Sequence, residues 1–341
     1  MHPRGDAVSF GATILDAEGT RLSAEEKRFF READPFAFIL FARNLDTPEQ
    51  IRALCAEMRD AVGREAPITI DQEGGRVQRL RPPIAREWLP PLDFVHQTGD
   101  HAEEAMYLRH RLIAAGLRQY GIDSNCAPLV DVATEETHPF LKNRCYGTDP
   151  ATVARLGRAA ADGMLAGGVL PVVKHIPGHG RATSDSHFDL PRVTAPRRSL
   201  ALQDYAPFAA LNDLPMAMTA HVVYEAMDSE PATLSPTMIA AIRHEIGFDG
   251  LLMTDDISMK ALKGDLAELS SRSIAAGCDV VLLCNASLDE RRAVAEAAGR
   301  MGAEAQKRAE AVLAARHTPD EVDIPALEAK LTSLLNGTLN V

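Results

Sequence analysis

Short apolar runs alternate with longer amphipathic stretches from one end of the chain to the other. Runs at 10–15, 36–41, 68–70, 122–127, 169–173, 216–220, 251–253 and 280–283 are rich in Val, Ile, Leu, Phe and Met and read as buried strands. Helical patterning fills the intervals. Thr47-Pro48-Glu49-Gln50 opens one helix with a capping-box pattern and Pro in the first turn. Others are predicted over 101–120 and 152–165, and Ser235-Pro236 opens one that reaches Ile246. Beyond the last apolar run, 293–315 and 325–335 predict two helices closing the exterior. Strands alternating with helices in this way predict an α/β fold, a single-domain (β/α)8 TIM-type barrel over residues 1–341.

Polar residues follow nearly every strand: Asp16, Arg43 and Asn44, Asp71, Lys174 and His175, His221, Asp255 and Asp256, and Asn285. In a parallel barrel these positions converge on the C-terminal face, where active sites lie. A doubly wound open sheet would need a ligand loop at its switch point, and the chain has no G-x-G-x-x-G or Walker glycine pattern. The stretch 72–99 is too long and too proline-rich for a simple connection. It carries Pro82-Pro83, Pro90-Pro91 and the single tryptophan, Trp88, and predicts an excursion over the barrel mouth.

Composition narrows the field. With 46% hydrophobic and 25% charged residues, the chain can bury a large core and is not a disordered sequence. A net charge of −12 argues against nucleic acid or an anionic membrane as partner. Five cysteines, odd in number and without a C-x-x-C pair, fit free thiols in a reducing compartment better than a disulfide scaffold or zinc ribbon. The first residues lack the apolar core of a signal peptide, and no apolar run is long enough to span a bilayer. The expectation is a cytoplasmic protein without membrane insertion.

The densest chemistry lies in LPVVKHIPGHGRATSDSHFDLP (170–191). A buried β-branched run delivers Lys174 and His175, and Pro177, Gly178 and Gly180 then exclude regular structure. In the extended arm that follows, residues two apart share a side, so the Asp185 carboxylate can reach the His187 ring. In DQEGGRVQR (71–79), Gly74 and Gly75 permit a tight turn that folds Arg79 back beside Asp71. A carboxylate next to a guanidinium can grip vicinal hydroxyls, one accepting and one donating. Arg144, in KNRCYG, is a further candidate ligand contact. In GLLMTDDISM, alternation lets only one of Asp255 and Asp256 point readily into the barrel mouth, leaving the other to cap the following turn or pair with a base.

These motifs, DQEGGRVQR (71–79), KHIPGHGRATSDSH (174–187), AHVVY (220–224) and GFDGLLMTDDISM (247–259), run in family order over nearly the whole chain. The chain resembles the family 3 glycoside hydrolases, and within them the bacterial single-domain β-N-acetylglucosaminidases of peptidoglycan recycling. The resemblance implies Asp255 as catalytic nucleophile and His187 as general acid/base, with Asp185 completing the dyad. It implies that Asp71, Arg79, Arg144, Lys174 and His175 hold an N-acetylglucosamine ring. Around Arg144 the chain departs from the pattern, with Asn143 and Cys145 where an acidic residue or Gly and a Ser are expected. The substrate implied is a small muropeptide fragment, GlcNAc-1,6-anhydroMurNAc and its peptides, with no cofactor and no metal.

Imidazole in the acid/base role is chemically sound, because it titrates near neutrality and can give and retake a proton. Two other chemistries draw on the same residues. Lys174 at a barrel strand end can form a Schiff base, as in an aldolase. His175, His179, Asp185, His187 and Asp255 can be combined as ligands of a hydrolytic metal, although Pro177 breaks the helix that would align His175 with His179. A non-catalytic sugar-binding module would need neither Asp255 nor His187.

Overall fold

The computed structural model describes residues 9–184 and 189–337. Among these residues eight parallel strands, β1 (Gly11–Leu15), β2 (Pro35–Leu40), β3 (Ile68–Ile70), β4 (Ser124–Asn125), β5 (Leu170–Ile176), β6 (Met216–Thr219), β7 (Leu251–Asp256) and β8 (Val280–Leu283), pair in the order β3-β2-β1-β8-β7-β6-β5-β4. The seam between β3 and β4 is joined by backbone bonds from Asp123 N to Ile68 O (3.1 Å) and from Cys126 N to Ile70 O (2.8 Å). The result is the expected (β/α)8 barrel. Its strands are buried on both faces, as a parallel sheet wrapped in helices demands.

The helix starts follow local chemistry. Ser23 and Glu26 form a reciprocal capping box at helix Ala24–Ala33, as Ser287 and Glu290 do at Leu288–Ala298. At Pro48–Val62 the Thr47 hydroxyl accepts the Gln50 N–H, but the Gln50 side chain reaches back to Asp46 N rather than to Thr47. Only half of the expected box forms.

Four expectations change. The stretch 293–315 is not one helix: Leu288–Ala298 and Ala303–Ala314 are separated where Gly299 adopts a left-handed φ of 67°. The helix opened by Pro236 ends as a π-turn over Ile242–Ile246. β5 and β7 run further than their apolar residues, carrying Lys174, His175, Asp255 and Asp256 within the strands. Most of 72–99 does not cross the mouth. After a hairpin of Gln72–Gly74 with Val77–Gln78, it folds outward onto helix Ala102–Arg118, where Trp88 is buried and the Arg109 guanidinium lies 5.6 Å from its ring. Packing the indole there removes a large apolar surface from water.

No helix among the described residues is long and apolar enough to cross a membrane.

Candidate active site

The C-terminal ends of the strands surround a cavity of about 360 Å³. Ile39, Met218 and Leu282, from β2, β6 and β8, line it with apolar surface, and Asp71, Arg79, Arg144, Lys174, His175, His179, Asp255 and Asp256 give it a polar wall. Every sequence-predicted site residue among those described is therefore brought together. Asp185 and His187 lie outside the described residues, so their placement is not part of this geometry.

One wall is a chain of alternating charges. Arg79 donates to Asp71 Oδ2 (2.9 Å), and Lys174 donates to Asp71 Oδ1 (3.0 Å). Lys174 also meets Glu73 Oε1 at 2.6 Å. Arg144 closes the chain with a bidentate pair to Glu73, Nε to Oε2 at 2.9 Å and Nη2 to Oε1 at 2.8 Å. Burial opposes every one of these charges. For Asp71 and Glu73 the neighbouring cations outweigh it and hold both carboxyls well below the usual range. Burial likewise pulls the Lys174 amine down, yet the two carboxylates prevail and push it above its ordinary value. Lys174 is thus held as an ammonium ion, and the neutral amine that a Schiff base requires is disfavoured.

The hairpin behind this wall is fixed from outside. Arg109, fully buried, donates Nη2 to the carbonyls of Glu73 (2.7 Å) and Leu89 (2.6 Å). Gly74 sits at φ 112°, and a Cβ there would lie 2.0 Å from that Nη2. Glycine is the residue this approach allows.

His175 is oriented by Asp131. Its Nδ1–H donates to Asp131 Oδ2 at 2.7 Å, and Asp131 Oδ1 accepts the backbone N–H of His175 (3.2 Å) and of His179 (2.6 Å). The first turn after β5 is pressed onto the segment that carries this aspartate, since a Cβ on Gly180 would lie 1.9 Å from Val132 O. The His179 ring lies 5.5 Å from that of His175. Burial first, and His175 second, lower its pKa to about 4, so it is neutral near pH 7.

Adjacent residues of a regular strand point to opposite faces, yet Lys174 with His175, and Asp255 with Asp256, line the same cavity. The pairing register shifts between Lys174 and Ile176 on β5 and between Met253 and Asp256 on β7. A bulge of this kind re-aims side chains at a strand end. The expectation that only one of the two aspartates reaches the mouth is corrected accordingly, while their roles still separate. Asp256 caps its turn: Oδ1 accepts Ser258 N (3.0 Å) and Cys284 N (3.2 Å), and Oδ2 accepts the Ser258 hydroxyl (2.8 Å). Burial, with the Asp255 charge adding to it, raises its pKa to about 6. For Asp255, burial is outweighed by His221, His175, the Asp256 amide and Lys174, and its carboxyl sits below the ordinary value. His221, buried at the end of β6, donates Nε2–H to the Asp256 carbonyl (3.0 Å) and meets the Thr233 hydroxyl at 2.7 Å through Nδ1.

Not every polar strand end belongs to the site. Asp16 is a buried tie, accepting Arg43 (2.6 Å), both Nε (3.1 Å) and Nη2 (2.9 Å) of Arg291, and the Asn285 amide (2.8 Å). Asn44 bonds the carbonyls of Ala17 and Gly19. Sequence reasoning passed over Glu73 and Asp131. Glu73 had a usable signal, because it lies two residues from Asp71 and so shares its side of a strand. Asp131, the first charge after the run APLV, had a weaker one. Among the described residues no three His, Cys, Asp or Glu side chains are grouped as metal ligands.

Comparison with known proteins gives a consistent result. The family model described as Glycosyl hydrolase family 3 N terminal domain matches residues 12–315. A curated β-hexosaminidase of Pseudomonas aeruginosa is 37% identical over 279 residues, covering 81% of this chain and 82% of that protein. The crystal structure of NagZ from Neisseria gonorrhoeae superposes with a TM-score of 0.83 at 29% identity, over 98% of this chain and 99% of that one. The same Neisseria protein in complex with N-trifluoroacetyl-D-glucosamine also gives 0.83 at 29%, over 97% of each chain.

Proposed function

The chain belongs to glycoside hydrolase family 3 and is a β-N-acetylhexosaminidase, and on that premise we propose that it removes terminal non-reducing N-acetylglucosamine from small peptidoglycan fragments with retention of configuration. Asp255 is the nucleophile in this reading. It attacks the anomeric carbon and forms a glycosyl-enzyme, while His187, oriented by Asp185, protonates the departing oxygen. The same His then takes a proton from the water that releases the sugar. The observation that carries the proposal is the Asp255 carboxylate, half-buried at a strand end in the cavity, its carboxyl held below the ordinary range by its neighbours. A nucleophile must be ionised before substrate arrives.

The substrate class has its own support. The cavity, about 360 Å³ at the strand ends and lined by both apolar and polar side chains, is of a size that suits one terminal ring. Asp71, Arg79, Lys174 and Arg144 offer the alternating acceptors and donors that ring hydroxyls require. The Neisseria relative binds a glucosamine derivative, and the resemblance to peptidoglycan-recycling enzymes names the fragment, GlcNAc-1,6-anhydroMurNAc and its peptides. The described cysteines are all unpaired and buried, in keeping with work in the reducing cytoplasm.

The deciding experiment compares hydrolysis of a chromogenic β-N-acetylglucosaminide with the matching β-glucoside and β-N-acetylgalactosaminide, and then GlcNAc-anhydroMurNAc with chitobiose. Preference for the first of each set is the expected result. Equal rates on glucoside and N-acetylglucosaminide would remove the proposed specificity.

A further inference from the structure

Glu73 pairs with two of the four Lys and Arg side chains that line the cavity, Lys174 and Arg144, and does not itself line it. We propose that Glu73 is a positioning residue for the sugar ring, its carboxylate setting the directions in which Lys174 and Arg144 present their remaining N–H groups and so selecting the ring hydroxyls that are accepted. The inference rests on the reading that this cavity holds a terminal N-acetylglucosamine.

Donor counting makes the argument. An ammonium group has three N–H bonds. Lys174 donates one to Asp71 (3.0 Å), and its ammonium stands 2.6 Å from Glu73 Oε1 in an ion pair, so the two carboxylates together set how its remaining N–H bonds face the cavity. A guanidinium has five. Arg144 spends Nε and one N–H of Nη2 on the two Glu73 oxygens, so its opposite edge is the one available to a ligand. A bidentate pair fixes the plane as well as the position of a guanidinium, which a single contact does not. Among the described residues Glu73 is the carboxylate that does this for Arg144. The carboxylate has a rigid base: its own carbonyl is held by Arg109, and Gly74 beside it permits no side chain. Lys174 and Glu73 side chains are each 2% exposed, so neither has water to compensate a lost partner.

The test is Glu73→Gln, which preserves shape but turns one acceptor into an NH2 group that cannot face a cation. Values of kcat and KM are measured on 4-nitrophenyl N-acetyl-β-glucosaminide and on its 3-deoxy and 4-deoxy analogues, wild type beside variant, with folding checked by circular dichroism. Wild-type turnover of the parent glycoside tests the underlying reading separately. The expected result is a rise in KM for the parent of about tenfold to a hundredfold, with kcat falling less. The penalty that wild type shows for a missing hydroxyl should shrink in the variant for at least one deoxy sugar. Equal fold losses on the parent and on both analogues would overturn the proposal, because a merely structural residue is blind to which hydroxyl is present. Should Glu73→Gln not fold, Glu73→Asp, which keeps the charge but withdraws it by one methylene, is read on the same substrates by the same criterion.

Discussion

Asp131 grips His175 twice: Oδ2 takes the ring Nδ1–H at 2.7 Å, and Oδ1 takes the backbone N–H of the same residue at 3.2 Å. Ring and main chain are therefore locked together, with Nε2 as the nitrogen left for a ligand. Asp131→Asn should lower kcat/KM by about tenfold to a hundredfold, the worth of a hydrogen bond to a charged group. Asn keeps an oxygen for the His175 and His179 amides and removes only the charge facing the His175 ring, so the double variant with His175→Ala should be no worse than His175→Ala alone. Additive losses would show that Asp131 works by another route.

Asp255→Ala should nearly abolish turnover while leaving substrate binding measurable by calorimetry. A 2-fluoro glycoside with an activated leaving group should label Asp255 in the wild type, read by mass spectrometry of the peptide. Label on Asp256, or on neither residue, would remove Asp255 from the nucleophile role.

His187→Ala should cost a natural disaccharide about 10²–10⁴-fold, the usual span for general acid/base catalysis. A nitrophenyl glycoside, whose leaving group needs little protonation, should lose far less in its glycosylation step. The comparison is kcat/KM on both substrates, and matching losses would mean that His187 is not the proton donor.

Asp256 carries a pH signature. Its folded pKa of about 6 lies above the ordinary 3.8, raised chiefly by burial. Between these values the folded state binds more protons than the unfolded state, so stability falls as pH rises through this window. Asp256→Asn keeps an oxygen for the Ser258 and Cys284 amides and offers an N–H to the Ser258 hydroxyl. The variant should gain stability relative to wild type at pH 7 compared with pH 4, measured by urea denaturation. The same difference at both pH values would show that Asp256 does not titrate in that range.

What the sequence determined was local. Strand and helix periods follow from which side chains must be buried every second or every third to fourth residue, so the barrel was legible from Phe10 to Leu335. The Asp71–Arg79 pair was legible too, because its members stand only eight positions apart, with two turn-forming glycines between them. The rest waited on closure of the barrel. Lys174 meets Asp71 across 103 positions, Arg144 meets Glu73 across 71 and His175 meets Asp131 across 44. No periodicity encodes such partners, since each depends on which strand ends become neighbours around the ring. The register shifts at Lys174 and Asp255 are of the same kind. A strand read alone alternates its side chains. Only its pairing with a neighbour decides where that alternation breaks, and it breaks where two adjacent polar residues must serve one cavity.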